Sequence, residues 1–198
     1  MRPTGSVCLN NRSIQLPPKR DLFGVQVSVT SYDQLVDCAI SLAQQKRGAI
    51  VDFMCVHGLV HAARDPGFAQ VIGDFDIVAS DGQPVRWALN WFHKADLRER
   101  VYGPETMRRA CAAAAKAGVP IYLYGSTQDV IDALVEKLPQ QFPGLIIAGA
   151  ESPPFRKLTP DEDQQVADRI NQSGAGLVFI GTGCPRQEEF AWRNRRLI

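Results

Sequence analysis

The stretch Phe75-Asp76-Ile77-Val78-Ala79-Ser80-Asp81-Gly82-Gln83-Pro84 is where residue type and spacing best suit chemistry, because a short apolar run stops at an acid. Such a run followed by Asp-Gly and Pro predicts a buried strand that carries one carboxylate into the turn at its C-terminal end. In open α/β sheets that is the edge where ligands bind. A carboxylate there can act as a general base, and it can equally cap the helix that follows.

Other apolar runs end in the same manner, at Gly125-Ser126, at Gly149 and at Gly181-Thr182-Gly183. If the strands are parallel, these ends share one rim, where each glycine lets a ligand approach backbone N–H groups at a helix N-terminus. The pattern outlines a nucleotide or sugar-phosphate site, although α/β turns also use glycine for conformational reasons alone.

Competing chemistries fit less well. Gly181-Thr182-Gly183-Cys184-Pro185-Arg186 puts Arg where a dinucleotide fingerprint needs its third Gly, and no Gly-Lys-Ser/Thr P-loop occurs. Asp74-Phe75-Asp76 has the letters of a metal-diphosphate motif but precedes its strand, at the wrong edge of the sheet. Asp161-Glu162-Asp163 falls in a first helical turn, where the helix dipole accounts for it. His57 and His61 have metal-ligand spacing without the Glu of H-E-x-x-H, and His93 is the one remaining histidine. No metal site is expected. Cys184, next to Arg186, fits either an activated thiol or a small residue in a tight turn.

The elements that must position these residues alternate. Strands are predicted at Leu22–Val29, Ala49–Cys55, Ile77–Ser80, Val119–Tyr124, Leu145–Ala148 and Leu177–Ile180. Between them lie helices after Thr30-Ser31 (ended by Gly48), over His57–Phe68, Val85–Phe92, Glu105–Ala117 and Gln128–Leu138, and after Thr159, where Thr159-Pro160-Asp161-Glu162 forms a capping box. Trp87 and Trp91, four apart on one helix, suit a core or subunit contact. Alternation of this kind predicts a Rossmann-like α/β fold: a mostly parallel sheet with helices on both faces, and a small N-terminal strand or hairpin added.

The totals agree with one globular unit. The chain has 198 residues and a net charge of +1, which gives no reason to expect nucleic acid. Its five cysteines form no CxxC pair and suit reduced thiols in a cytosolic compartment. Residues 1–20 are polar and Pro-containing and are expected to be a disordered lead-in to a single core over 21–198, with neither a signal peptide nor a membrane span.

Taken in order, Ala79-Ser80-Asp81-Gly82, Glu99-Arg100-Val101-Tyr102-Gly103-Pro104-Glu105, Leu123-Tyr124-Gly125-Ser126, Phe142-Pro143-Gly144-Leu145 with Gly149, and Gly181-Thr182-Gly183-Cys184-Pro185-Arg186-Gln187-Glu188 resemble the WecG/TagA/CpsF family of bacterial glycosyltransferases. Ser152-Pro153-Pro154-Phe155-Arg156 is similar to its capsule and exopolysaccharide branch. The resemblance implies inverting, metal-independent transfer from a UDP-sugar to a sugar on an undecaprenyl-type pyrophosphate lipid, peripherally at the cytoplasmic membrane face, with no cofactor. It assigns Asp81 as general base and places Arg100 and Gln187 at the sugar-phosphate pocket. Gly82, Gly103, Gly125, Ser126, Gly149, Gly181, Thr182, Pro185 and Glu188 fall in its donor-binding motifs.

Two departures stand out. Phe53-Met54-Cys55 occupies the place of the family's Thr-x-Asn, and the chain stops at Arg195-Arg196-Leu197-Ile198, where the family continues into a basic helical tail. A catalytic core without its lid is therefore expected, with membrane contact through Trp192, Arg193, Arg195 and Arg196, and homo-oligomers are an open outcome. Two other roles fit the same residues: a non-catalytic nucleotide-sugar or anion binder, and a scaffold of a polysaccharide assembly complex using Trp87 and Trp91.

Overall fold

A computed structural model describes residues 14–198. Residues 1–13 of the expected lead-in lie outside the described residues, and the rest of it is part of the fold. Ile14 and Leu16 pack on a buried cluster containing Tyr32 and Leu35. Strand β1 (Lys19–Leu22) pairs antiparallel with β2 (Val25–Ser28). The single strand expected over Leu22–Val29 is thus a hairpin, because Phe23 (φ 55°) and Gly24 (φ 87°) reverse the chain.

Five parallel strands follow: β3 (Val51–Met54), β4 (Ile77–Ser80), β5 (Ile121–Gly125), β6 (Ile147–Glu151) and β7 (Leu177–Gly181). Among the described residues they form two hydrogen-bonded groups, the pair β3-β4 and the three-stranded sheet β6-β5-β7. The hairpin lies against the pair, with Ser28 Oγ accepting the Val78 N–H at 3.0 Å. Every position of β4 and β5 is buried, as expected of strands covered on both faces.

Among the described residues, eight helices cover these strands: α1 (Tyr32–Gln44), α2 (Val56–Arg64), α3 (Pro66–Gly73), α4 (Gln83–His93), α5 (Gly103–Ala117), α6 (Gln128–Gln141), α7 (Pro160–Ser173) and α8 (Arg186–Asn194). The helix expected over His57–Phe68 is two. Pro66 has no N–H to continue α2, and the Asp65 carboxylate caps the new start by accepting the Gly67 and Phe68 N–H groups. The capping box at Thr159 and Glu162 is present. No described helix is long and apolar enough to cross a membrane.

Two glycines explain how the strand ends are arranged. Gly149 is not at an end: β6 runs on to Glu151, and a Cβ at 149 would lie 2.3 Å from a ring carbon of Tyr122 on the neighbouring strand. Gly125 is at an end (φ 138°), and a Cβ there would lie 2.5 Å from the backbone of Gly181. The ends of β5 and β7 touch backbone to backbone, and the Ser126 N–H donates to Gly181 O at 2.9 Å.

Gly125→Ala meets both the positive φ and the clash, so it is expected to cost roughly 3 kcal/mol or more. Urea unfolding of the variant against the parent checks this. An unchanged midpoint would show that the two ends separate freely.

Candidate active site

The site is built outward from the end of β4. The Asp81 N–H still bonds Met54 O of β3 at 3.0 Å, so the strand pairing holds the residue in place. Gly82 (φ 125°) then turns the chain and is itself the N-cap of α4, without any side-chain cap bond. Asp81 therefore does not cap the helix that follows it. Its Oδ2 instead accepts the N–H of Gly103, the first residue of α5, at 3.4 Å.

That contact depends on the Glu99-Arg100-Val101-Tyr102-Gly103 segment lying across the strand end. Val101 is fully buried and donates its N–H to Ser80 O at 2.9 Å. Arg86 and Asn90 of α4 hold the preceding loop through Leu97 O, at 2.7 and 2.9 Å. Arg100 lies with its guanidinium over the Tyr102 ring, 4.5 Å from the centroid, within Coulomb range of Asp81. Partial burial raises the Asp81 carboxyl above an ordinary aspartate, while the Gly103 N–H and Arg100 oppose the shift.

The structure divides the expected site residues into two groups. Asp81, Gly82, Arg100 and Gly103 gather at the β4 end. Gly125, Ser126, Gly181 and Thr182 gather at the β5 and β7 ends, where a small cleft is lined by Ser126, Gly181 and Thr182 with Pro153, Phe155 and Arg186. It joins a larger cleft of about 100 Å³ between α8 and residues 153–158, lined by Tyr124, Arg156, Lys157, Arg186, Phe190 and Arg193, among others. This volume is below the roughly 300–1,000 Å³ of a small-molecule site and suits a phosphate-sized group. Neither Asp81 nor Arg100 lines it.

The start of α8 stands between the groups. Gln187 is occupied locally: its Oε1 accepts the Gly183 N–H at 3.1 Å and its Nε2 donates to Glu188 Oε1 at 3.0 Å. Pro185 is the N-cap of α8 and follows a cis peptide bond from Cys184. Glu188 is buried with Oε2 lacking a partner, and Ser80 Oγ and Thr182 Oγ1 are orphaned likewise along the rim. These three atoms are buried close to the strand ends, where a ligand or an ordered water would supply the missing partners. Among the described residues, no three His, Cys, Asp or Glu side chains gather where they could hold a metal ion.

Sequence reasoning missed Asp52. It lies inside β3, buried, with its charge close to Glu188 and Asp81; loss of water, then Glu188, push it up to about 7. An acid within a strand run was the available signal. Loss of water around the sulfur, with Glu188 and Asp52 nearby, pushes the thiol of exposed Cys184 up to about 12, which argues against the activated-thiol alternative. Arg186 anchors the double-proline loop by donating to Pro154 O and Arg156 O. Cys55 is the N-cap of α2 and makes no cap bond.

A model of the family described as Glycosyl transferase WecG/TagA/CpsF matches residues 20–198. Two similar proteins carry the name N-acetylglucosaminyldiphosphoundecaprenol N-acetyl-beta-D-mannosaminyltransferase. The one from Bacillus subtilis (strain 168) is 27% identical over 154 residues, covering 78% of this chain and 58% of its own length. The one from Bacillus spizizenii (strain ATCC 23059 / NRRL B-14472 / W23) is 25% identical over 185 residues, covering 93% of this chain and 69% of its own.

Two measurements probe the groups around Asp81 without any substrate. The Asp52 carboxyl rises on folding, so the folded chain keeps a proton that the unfolded chain releases. Stability contributed by this group is full below the unfolded value of 3.8 and is lost as pH rises to about 7. Asp52→Asn should therefore raise stability at pH 8, by up to about 4 kcal/mol, with the gain vanishing near pH 4. Thermal melts at both pH values decide, and an equal effect at both would remove the assignment. Cys55→Asn supplies the missing cap and is expected to add about 1 kcal/mol in the same melts.

Proposed function

The chain belongs to the WecG/TagA/CpsF family of glycosyl transferases, and on that premise we propose that it moves a sugar from a UDP-sugar to a hydroxyl of a sugar carried on an undecaprenyl-type diphosphate lipid. The reaction proceeds with inversion and without a metal ion, at the cytoplasmic face of the membrane, in synthesis of a surface polysaccharide. The names of the two Bacillus relatives support the acceptor class. The observation that carries the reading is Asp81, whose carboxylate faces the rim from the end of β4 instead of capping α4.

In the proposed step the acceptor oxygen attacks the anomeric carbon as its proton passes to Asp81. The bond from that carbon to the diphosphate oxygen breaks, and UDP leaves with the electron pair. A raised carboxyl pKa suits a general base, since it strengthens the pull on the proton once the group is ionised. Arg100 is the cation nearest to hand for the developing charge on the leaving group.

The rim N–H groups contribute less than their sequence suggests. Those of Ser126 and Gly183 already donate to Gly181 O and to Gln187 Oε1. Lys157 at the α8 cleft remains for the diphosphate, since Arg156, Arg186 and Arg193 are already taken up by Glu162, the Pro154 and Arg156 carbonyls, and Asp163. Gln187 then acts by holding the Gly183 turn and Glu188, and its removal should weaken donor binding more than turnover.

Transfer of radiolabelled sugar from a panel of UDP-sugars to a synthetic lipid-diphosphate sugar tests the proposal. Asp81→Asn should keep the fold and lower transfer by about 10³-fold or more, and turnover should survive EDTA. The acid limb of the rate profile should lie above that of an ordinary aspartate. UDP binding by calorimetry with no transfer to any acceptor would favour the non-catalytic binder, and near-parental turnover in Asp81→Asn would end Asp81's role as base.

A further inference from the structure

An apolar surface left open on the described residues lies neither at the rim nor at the end of the chain. Trp87, Trp91 and Phe92 of α4 are 57%, 84% and 61% exposed, and Phe23 at the tip of the β1-β2 hairpin is 66% exposed. Phe23 and Phe92 meet edge to face, with centroids 6.2 Å apart, and His93 Nε2 bonds Asp21 O at 2.6 Å. Helix and hairpin tip therefore present one aromatic face. Of the core or subunit contact expected for Trp87 and Trp91, the core is corrected: α4 buries its opposite side, through Val85 and Leu89.

We propose that this face of α4 and the hairpin tip is where the protein rests on a lipid surface. The proposal rests on the reading of the acceptor as lipid-linked. The composition fits: the exposed residues are aromatic, Trp in particular, the type that settles between headgroups and acyl chains. Exposed Arg20 of β1 and exposed Lys94 and Arg98, just after α4, suit anionic headgroups, against exposed Asp21, Asp96 and Glu99. Of these acids, Asp21 is already taken up by the Gly24 N–H and Gln26 Nε2.

Position fits as well. Helix α4 begins two residues after Asp81 and spans 11 residues, or ~16 Å, so the base stands within about one helix length of the surface. That is the reach needed when the hydroxyl to be deprotonated is tethered to the bilayer by a diphosphate.

Of the C-terminal residues first expected to make this contact, Trp192, Arg193 and Arg195 are engaged elsewhere, and Arg196 stays exposed. Trp192 Nε1 donates to Asp74 at 2.7 Å, Arg193 bonds Asp163 at 2.8 Å, and Arg195 binds Asp76 and the Asp74 carbonyl. They pin α8 to the molecule and offer little to a headgroup.

Flotation with vesicles of phosphatidylcholine and phosphatidylglycerol at 3:1, without any sugar substrate, tests the proposal. The parent chain should float, and Trp87→Ser/Trp91→Ser should lower partitioning at least tenfold with an unchanged melt and unchanged UDP titration. Brominated lipid should quench Trp91 in Trp87→Phe/Trp192→Phe, and spare Trp192 in Trp87→Phe/Trp91→Phe, whose aromatic face is kept. Failure of the parent to float, or equal flotation of the double variant, overturns the proposal. So does a lipid-free dimer that Trp91→Ser dissolves, because the face then belongs to a second copy. Flotation without UDP binding would leave the surface standing and the transferase reading fallen, and UDP binding without flotation the reverse.

Discussion

A strand buried at every position has only its ends to offer to water, and β4 and β5 are both of this kind. The sheet can carry chemistry at its rim and nowhere else, so whatever the chain binds must be met by turn residues. That constraint explains why side chains of modest reach matter so much here. Val101 must be buried and must bond Ser80 O before Gly103 and Arg100 can stand beside Asp81.

The same burial shapes the electrostatics. Asp52, Asp81 and Glu188 come from three different elements and share one poorly solvated region, with loss of water the largest influence on each. A backbone amide opposes that effect at each of the three, but a cation, Arg100, does so at Asp81 alone. The three acids are thereby made unequal. Asp81, half-buried and supported by donors, is the one best able to ionise and exchange a proton with a ligand, whereas Asp52 is held neutral to near pH 7 by its surroundings.

Much of this was legible in the sequence because it depended on local patterns. The bounds of β4, the capping box of α7 and the break after each glycine-ended strand follow from periodicity and turn chemistry acting over a few residues. What was not legible depended on contacts far apart in the chain. Gly149 read as a strand end because a glycine after an apolar run usually is one, and only the Tyr122 ring on the next strand shows why it is glycine. That Asp81 leaves α4 uncapped could not be read locally, since its partner, Gly103, lies 22 residues on. Asp52 gave no motif at all. The exposed tryptophans defeat a rule that works for most helices, that a four-residue aromatic spacing points inward.

The contact between Gly125 and Gly181 has a mechanical side. Two loops that rise from strands touching backbone to backbone, with an amide of one bonded to a carbonyl of the other, have no slack between them. Arg186 adds the loop after β6 to the same assembly through Pro154 O, and Ser152 Oγ adds it again through Ser126 O. Three loops from three strands are then one stiff plate. A ligand pressing on any part of it shifts the start of α8 as well, and any lineage that lengthens one loop must carry the other two along with it.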